Sequence, residues 1–211
     1  SFLNDPREDW QTPLHDFKQR ISKAKVGNRG RNILDKLMPV LLKQMNDFNA
    51  TAETFNVICQ ILNKIISRTA YLELLYENPG ALKQLVLLCC YSKWIGEHIS
   101  LYPILLDELI DPAVLYKPTP LSAYKDEIRQ YFLRIEPDDL EMQMEALRQF
   151  KQTHQLRIAA ADATDVMDVM KVSDHLTALA EAIVDQAVNI AWHNCVKRFG
   201  MPPSTNDESK G

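Results

Sequence analysis

Along most of the chain, apolar residues return every three or four positions and almost nowhere every second one, which predicts an all-α fold. Thr12 followed by Pro13 marks the start of a first helix, since an N-cap hydroxyl and a proline without an N–H both suit a first turn. That helix is expected to run to about Lys25. After the break "VGNRGR", a stripe of Leu34, Leu37, Met38, Leu41, Met45 and Phe48 follows, with Pro39 expected to kink or restart the helix. Thr51 opens the next helix. On it Phe55, Ile58, Leu62 and Ile65 form one face, and Ile61 and Ile66 widen it for packing against several neighbours.

"ENPGALKQLVLLCCY" repeats the cap logic with Asn78 and Pro79 and is apolar nearly all round, so it is expected to be the central buried helix. "SKWIGEHIS" and "YPILLDELI" predict shorter helices, the second opened by Pro103. "DPAVLYKPTP" holds Pro112, Pro118 and Pro120 and is the clearest internal loop. Beyond it come a helix near 122–134, a long helix near 137–161 with Pro137, Asp138 and Asp139 in its first turn, and a long C-terminal helix near 173–199. The last is expected to start at Ser173 and to carry Leu176, Leu179, Ile183, Val184, Ala187, Val188, Ala191, Cys195 and Phe199 on its apolar side, with Gly200 as C-cap. The whole is a multi-helix bundle, expected as one domain over residues 1–200 whose point of subdivision would be 112–121, followed by a flexible tail at 201–211.

Composition narrows the function classes. With 211 residues and 46% hydrophobic content the chain can bury a real core. A formal charge of −4 supplies no overall basic field for nucleic acid, and no apolar run approaches the roughly 20 residues of a membrane span, so neither nucleic acid nor membrane is expected as a partner. No secretory signal pattern opens the chain, and a cytoplasmic location is expected. Cys59, Cys89, Cys90 and Cys195 lie in apolar helical patterns without C-x-x-C spacing. They are expected to be reduced core residues rather than zinc ligands. The chain starts without Met and ends in a polar stretch, which gives the expectation of a piece of a longer polypeptide.

The stretch "LRIAAADATDVMDVMKVSDHL" places Asp162, Asp165, Asp168 and Asp174 among small and apolar residues, and raises the question of a metal site. Three residues turn a helix by about 300°, so Asp162, Asp165 and Asp168 on one helix would drift by about 60° per step and fail to converge on one ion. The D-D-x-x-D pattern of all-helical isoprenoid synthases is not matched, and "PDDLE" offers only half of it. The single doublet His15–Asp16 is a weak echo of helical H-D phosphohydrolases. Those two classes supply the alternative, a free-standing helical metal enzyme. Caps and solvated turns are the competing account, with Asp165 and Ser173 expected to cap successive helices. Gly-rich phosphate loops, G-x-S-x-G and H-E-x-x-H are all missing. A basic cluster, Lys18, Arg20, Lys23, Lys25, Arg29, Arg31 and Lys36, is nearly free of acids; Lys25, Arg29, Arg31 and Lys36 are the candidate docking residues for an acidic partner.

The longer words of the chain carry a further signal. "SRTAYLELLYENPGALKQL" (67–85), "YPILLDELIDPAVLY" (102–116), "LRQFKQ" (147–152), "LRIAAAD" (156–162) and "MKVSDHLTALAEAIVDQAVNIAW" (170–192) resemble, in order, the bacterial glutamate-ammonia-ligase (glutamine synthetase) adenylyltransferase family. The resemblance spans most of residues 30–200. It implies a parent enzyme with two nucleotidyltransferase halves, one attaching AMP from ATP to a tyrosine of glutamine synthetase and the other removing it by phosphorolysis, with ATP and magnesium as its cofactors. Glutamine synthetase, the PII signal protein and the effector glutamine are the partners it implies. Placed by this resemblance, the chain is the helical region leading into the adenylylating half. The family's G-Y-G-K-L-G-G turn and S-D-x-D carboxylate pair do not occur in it, so no catalytic, cofactor or metal residue is carried over, and the expected role is regulatory or scaffolding.

Overall fold

The computed structural model of the chain describes residues 10–23 and 26–202, and among them every regular element is helical. The order is α1 (Gln11–Lys23), α2 (Asn28–Asp47), α3 (Ala52–Ile65), α4 (Thr69–Glu77), α5 (Pro79–Tyr91), α6 (Lys93–Leu101), a 3-10 helix (Pro103–Leu109), α7 (Pro112–Leu115), a 3-10 turn (Leu121–Ala123), α8 (Tyr124–Phe132), α9 (Leu140–Ala163) and α10 (Val169–Phe199). The all-α expectation and both long helices are borne out. No described helix is long and apolar enough to cross a membrane.

The chain divides into two compact units. One comprises Ser1–Pro118 and Gln152–Val172, the other Thr119–Lys151 and Ser173–Gly211. In the first, α3 touches α1, α4, α5 and α6. It buries eight of its fourteen residues, against six of thirteen for α5, so the centre falls one apolar stretch earlier than its sequence suggested. Thr51 is its N-cap as expected, the hydroxyl accepting from Thr54 N at 3.2 Å. Phe55, Ile58, Ile61, Leu62 and Ile65 are essentially inaccessible, and Leu34, Leu37, Leu41 and Met45 of α2 join them. Trp10 closes this core, donating from Nε1 to Ala50 O at 3.1 Å and lying 5.8 Å from the Phe55 ring. Leu156 and Ala160 of α9 belong to the same cluster.

Gly96 of α6 is what lets that helix approach α3. A Cβ there would press into Val57 Cγ1 and come within 3.0 Å of Cys89 Sγ. Helix α2 runs unbroken through Pro39 from Asn28 to Asp47, so the proline restarts nothing. It ends in a Schellman motif: Asn49 is left-handed at φ 50°, Asn49 N donates to Asn46 O, and Ala50 N donates to Met45 O at 2.9 Å.

Several boundaries differ from the expectations for identifiable reasons. Helix α1 already includes Thr12 and Pro13. Asn78 does not cap α5 with its side chain; Nδ2 donates backwards to Leu74 O at 2.9 Å, closing α4. Within "DPAVLYKPTP", Asp111 accepts from Ala113 N and Pro112–Leu115 forms one helical turn. Pro137 and Asp138 precede α9 rather than begin it, and Asp139 caps it by accepting from Met142 N at 2.9 Å. The last helix starts four residues before Ser173. Its cap is Asp168, whose Oδ1 accepts from Met170 N at 2.9 Å and Lys171 N at 3.2 Å. Ser173 sits inside the helix. Asp165 does close a helix, though the preceding one. It is left-handed at φ 56°, with Asp165 N on Asp162 O and Val166 N on Ala161 O, a second Schellman motif. Gly200, at φ 80°, closes α10 by donating to Val196 O at 2.8 Å, as expected.

In the second unit, Tyr124 and Ile128 of α8, Leu147 and Phe150 of α9 and Leu179, Ala182 and Ile190 of α10 are buried. Tyr131 meets the Phe150 ring edge-on at 5.5 Å, Tyr124 Oη lies 3.1 Å from His175 Nδ1, and Lys197 Nζ pairs with Asp138 at 2.5 Å.

Candidate functional site

The basic cluster does not form one open face. Lys25 lies outside the described residues. Arg29, at the start of α2, turns toward α4, where its Nε donates to Glu73 Oε1 at 2.6 Å. Lys36, two turns further on, places its ammonium 6.0 Å from the Tyr76 ring centre, a cation–π contact with the same helix. Both cations are exposed, so these contacts are weak and salt-sensitive, but each already has a partner within the chain. Arg31 points elsewhere. With Lys18 of α1 and Asp35 of α2 it edges a groove of about 500 Å³ whose walls are Leu14, Phe17 and Ile21 on one side and Leu34, Met38 and Leu42 on the other. Helical geometry explains the split. Arg29 and Lys36 are seven residues apart and share a face, while Arg31 is rotated about 200° from Arg29.

The four aspartates are exposed and occupy the turn between α9 and α10 and its flanks. Asp162 supplies a carbonyl to one Schellman motif, Asp165 its left-handed residue and Asp168 the next N-cap, also 3.8 Å from Lys171 Nζ; Asp174 follows inside α10. Among the described residues no three His, Cys, Asp or Glu side chains are grouped to hold a metal ion, so the donors that magnesium requires are not gathered there. The His15 ring of the H-D doublet is engaged with Gln19 at 2.9 Å.

Two of the four cysteines are corrected by the fold. Cys59 and Cys89 are buried, and burial pushes the Cys59 thiol up to about 12 and raises that of Cys89 as well. Cys90 and Cys195 are exposed. Desolvation still raises the Cys90 thiol, against a smaller opposing effect of its hydrogen bond with Thr54.

Sequence reasoning missed two features. One is a largely buried ion pair: Arg157 of α9 donates from Nε to Glu108 Oε2 at 2.9 Å, its two side chains only 15% and 20% exposed. Nothing in the spacing of residues forty-nine apart announces it. The other is the division of α10 into two apolar sides. Leu179, Ala182 and Ile190 are buried, while Val184, Val188, Trp192 and Phe199 are more than half exposed. The signal was present, because apolar residues at 180, 184, 188, 195 and 199 trace a stripe of their own; it merges with the buried side only if the helix is taken to have one apolar face.

Comparison with known proteins accounts for the long words of the sequence. The profile of the glutamate-ammonia ligase adenylyltransferase family matches residues 82–211. The chain belongs to that family. It is 52% identical over 207 residues to the bifunctional glutamine synthetase adenylyltransferase/adenylyl-removing enzyme of Shewanella frigidimarina, an alignment covering 98% of this chain and 22% of the relative. Family members of the same description from Shewanella loihica (52% over 198 residues) and Shewanella oneidensis (53% over 189) cover 94% and 90% of the chain and 21% and 20% of their own lengths. The chain therefore spans about a fifth of these adenylyltransferases, and the family likeness runs through both units.

Proposed function

We propose that the chain is a helical, non-catalytic part of a bifunctional glutamine synthetase adenylyltransferase, acting as a scaffold or regulatory relay for catalytic machinery elsewhere in a longer polypeptide. In this reading the whole enzyme moves AMP from ATP with magnesium onto a tyrosine of glutamine synthetase, removes it again by phosphorolysis, and works in the cytoplasm. The observation that carries it is the asymmetry of coverage: 52% identity across 98% of this chain, but only 22% of the relative. Its side-chain chemistry agrees. The described residues gather no metal-binding group, and the Thr51 cap and the Arg157–Glu108 pair are structural contacts. PII protein and glutamine are the signals such a relay would answer. Of the described docking residues, Arg29 and Lys36 already have contacts within the chain, whereas Arg31 beside Lys18 edges the groove and suits an acidic partner.

The test is incorporation of labelled AMP into glutamine synthetase with ATP and magnesium, by this chain and by the full-length enzyme. Incorporation is expected from the full-length enzyme alone. Transfer by the isolated chain would overturn the non-catalytic assignment. Titration of the chain with unmodified PII protein, with and without glutamine, separates the two roles: saturable heat supports a relay, and its absence leaves a scaffold.

A further inference from the structure

Helix α10 has an apolar face that the chain itself does not cover. Its buried residues, Leu179, Ala182 and Ile190, cluster on one side, and the opposite side, roughly 180° away at about 100° per residue, carries Val184, Val188, Cys195 and Phe199. Val184 is 60%, Val188 59% and Phe199 75% exposed. From Val184 to Phe199 the stripe is about 22 Å long, which at the ~10 Å width of one helix face gives roughly 200 Å² of contiguous apolar surface. One border is acidic, with exposed Asp174, Glu181 and Asp185 within about 40° of arc. The unit that holds this helix is also poorly filled. Its described residues bury eight hydrophobic side chains and expose twelve large ones.

From these observations we infer that the Val184–Phe199 face of α10 is an intramolecular seat, covered in the full-length enzyme by another part of the same polypeptide that is apolar and lined with basic residues opposite Asp174, Glu181 and Asp185. The inference rests on the proposed reading of the chain as part of a longer enzyme. The occupant follows from the same coverage, because the relatives carry nearly four-fifths of their length outside this region and an uncovered face of this kind on one part of a chain is met by another part. Its chemistry follows from the apolar stripe and its acidic border.

Cys195 lies on the stripe and reports on it directly, and Cys90, exposed on the other unit, is an internal reference. Maleimide labelling of both thiols, followed by peptide mass spectrometry, is compared between this chain and the full-length enzyme. The expected result is labelling of Cys195 at least tenfold slower in the full-length enzyme, with Cys90 unchanged. Equal Cys195 rates in the two proteins overturn the seat. Protection of Cys195 already in this chain, with a dimer by light scattering, also overturns it and assigns the face to a second copy. Charge insertion gives an independent check: Val184→Glu with Val188→Glu should leave the melting of this chain unchanged and lower that of the full-length enzyme, and an unchanged full-length melt counts against the seat. The functional reading fails separately. A full-length enzyme that protects Cys195 yet transfers no AMP to glutamine synthetase loses that reading and keeps the seat.

Discussion

Gly96→Ala is the substitution through which the helix packing of the first unit is most sharply tested. The added methyl would occupy space held by Val57 Cγ1 and lie 3.0 Å from Cys89 Sγ. Neither neighbour is the free end of a flexible side chain. Val57 is β-branched and 3% exposed, and Cys89 is buried beside it, so relief requires α6 to move away from α3. Overpacking of this kind costs about 1–3 kcal/mol, and so close an approach belongs at the upper end. Alanine returns about 1 kcal/mol of helix propensity over glycine, which leaves a net loss near 2 kcal/mol. For a chain of this size that is a fall in melting temperature of about 4–8 °C. Gly80→Ala is the matched control. It is also helical but has nothing within 4 Å of its Cβ position, so it should raise stability by about 0.4–1 kcal/mol. Scanning calorimetry of the two variants, and of Gly96→Ala combined with Val57→Ala, completes the experiment. The double variant should lose less than the sum of the singles, because the smaller side chain makes room for the methyl. A Gly96→Ala protein that melts with Gly80→Ala, above the parent, would refute the close approach of α6 to α3.

Other expected outcomes follow from single features. Burial, helped by the Arg157 charge, pushes the His154 ring down to about 3, against about 6.5 in an unfolded chain. Below pH 6.5 the unfolded state therefore takes up a proton that the folded state refuses, so this contribution is intact above that pH and falls as the medium acidifies, by about 2 kcal/mol at pH 5. Urea titrations at pH 7.5 and pH 5 should show that loss for the parent and a flatter dependence for His154→Gln; parallel profiles would contradict the assignment. Asp165→Gly should stabilise by up to about 1 kcal/mol and Asp165→Val should destabilise by about 1–2 kcal/mol, because φ at this position is positive. An identical denaturation midpoint for both would remove the Schellman turn. Glu108→Gln should cost about 1–3 kcal/mol by leaving the Arg157 guanidinium with a weaker partner, whereas Glu53→Gln, which disturbs the exposed pair with Lys93, should leave the denaturation midpoint nearly unchanged.

Much of the fold was legible because helices announce themselves locally. The stripe on α2, the Thr51 cap and the Gly200 stop depend on residues within one or two turns of each other, and those features are where they were expected. Interfaces are a different matter. That α3 and not α5 is the enclosed helix depends on which neighbours fold against it, and an all-round apolar composition does not rank two such helices. Asp162, Asp165 and Asp168 lie at helix ends, as caps and turns were expected to, but the cap of α10 is Asp168 and not Ser173. A carboxylate accepting backbone N–H bonds at Asp168 and a left-handed residue at Asp165 belong to one composition class and opposite ends of a turn. The basic run was visible as charge, while its dispersal to Glu73, Tyr76 and a groove required tertiary structure. Periodicity found the apolar residues of α10 without resolving that they lie on two sides.

The assignment of Gln152–Val172 to the first unit, after Thr119–Lys151 has gone to the other, has a consequence for the order in which the protein is made. Leu156 and Ala160 fill the same core as Phe55 and Leu62, so that core stays incomplete when Pro118 leaves the ribosome and closes only after the stretch through Val172 has emerged. At elongation rates of about 5–20 residues per second, the delay is roughly 3–11 s. For that interval a nascent chain presents an unfilled apolar slot, the kind of transiently exposed surface that chaperones cover.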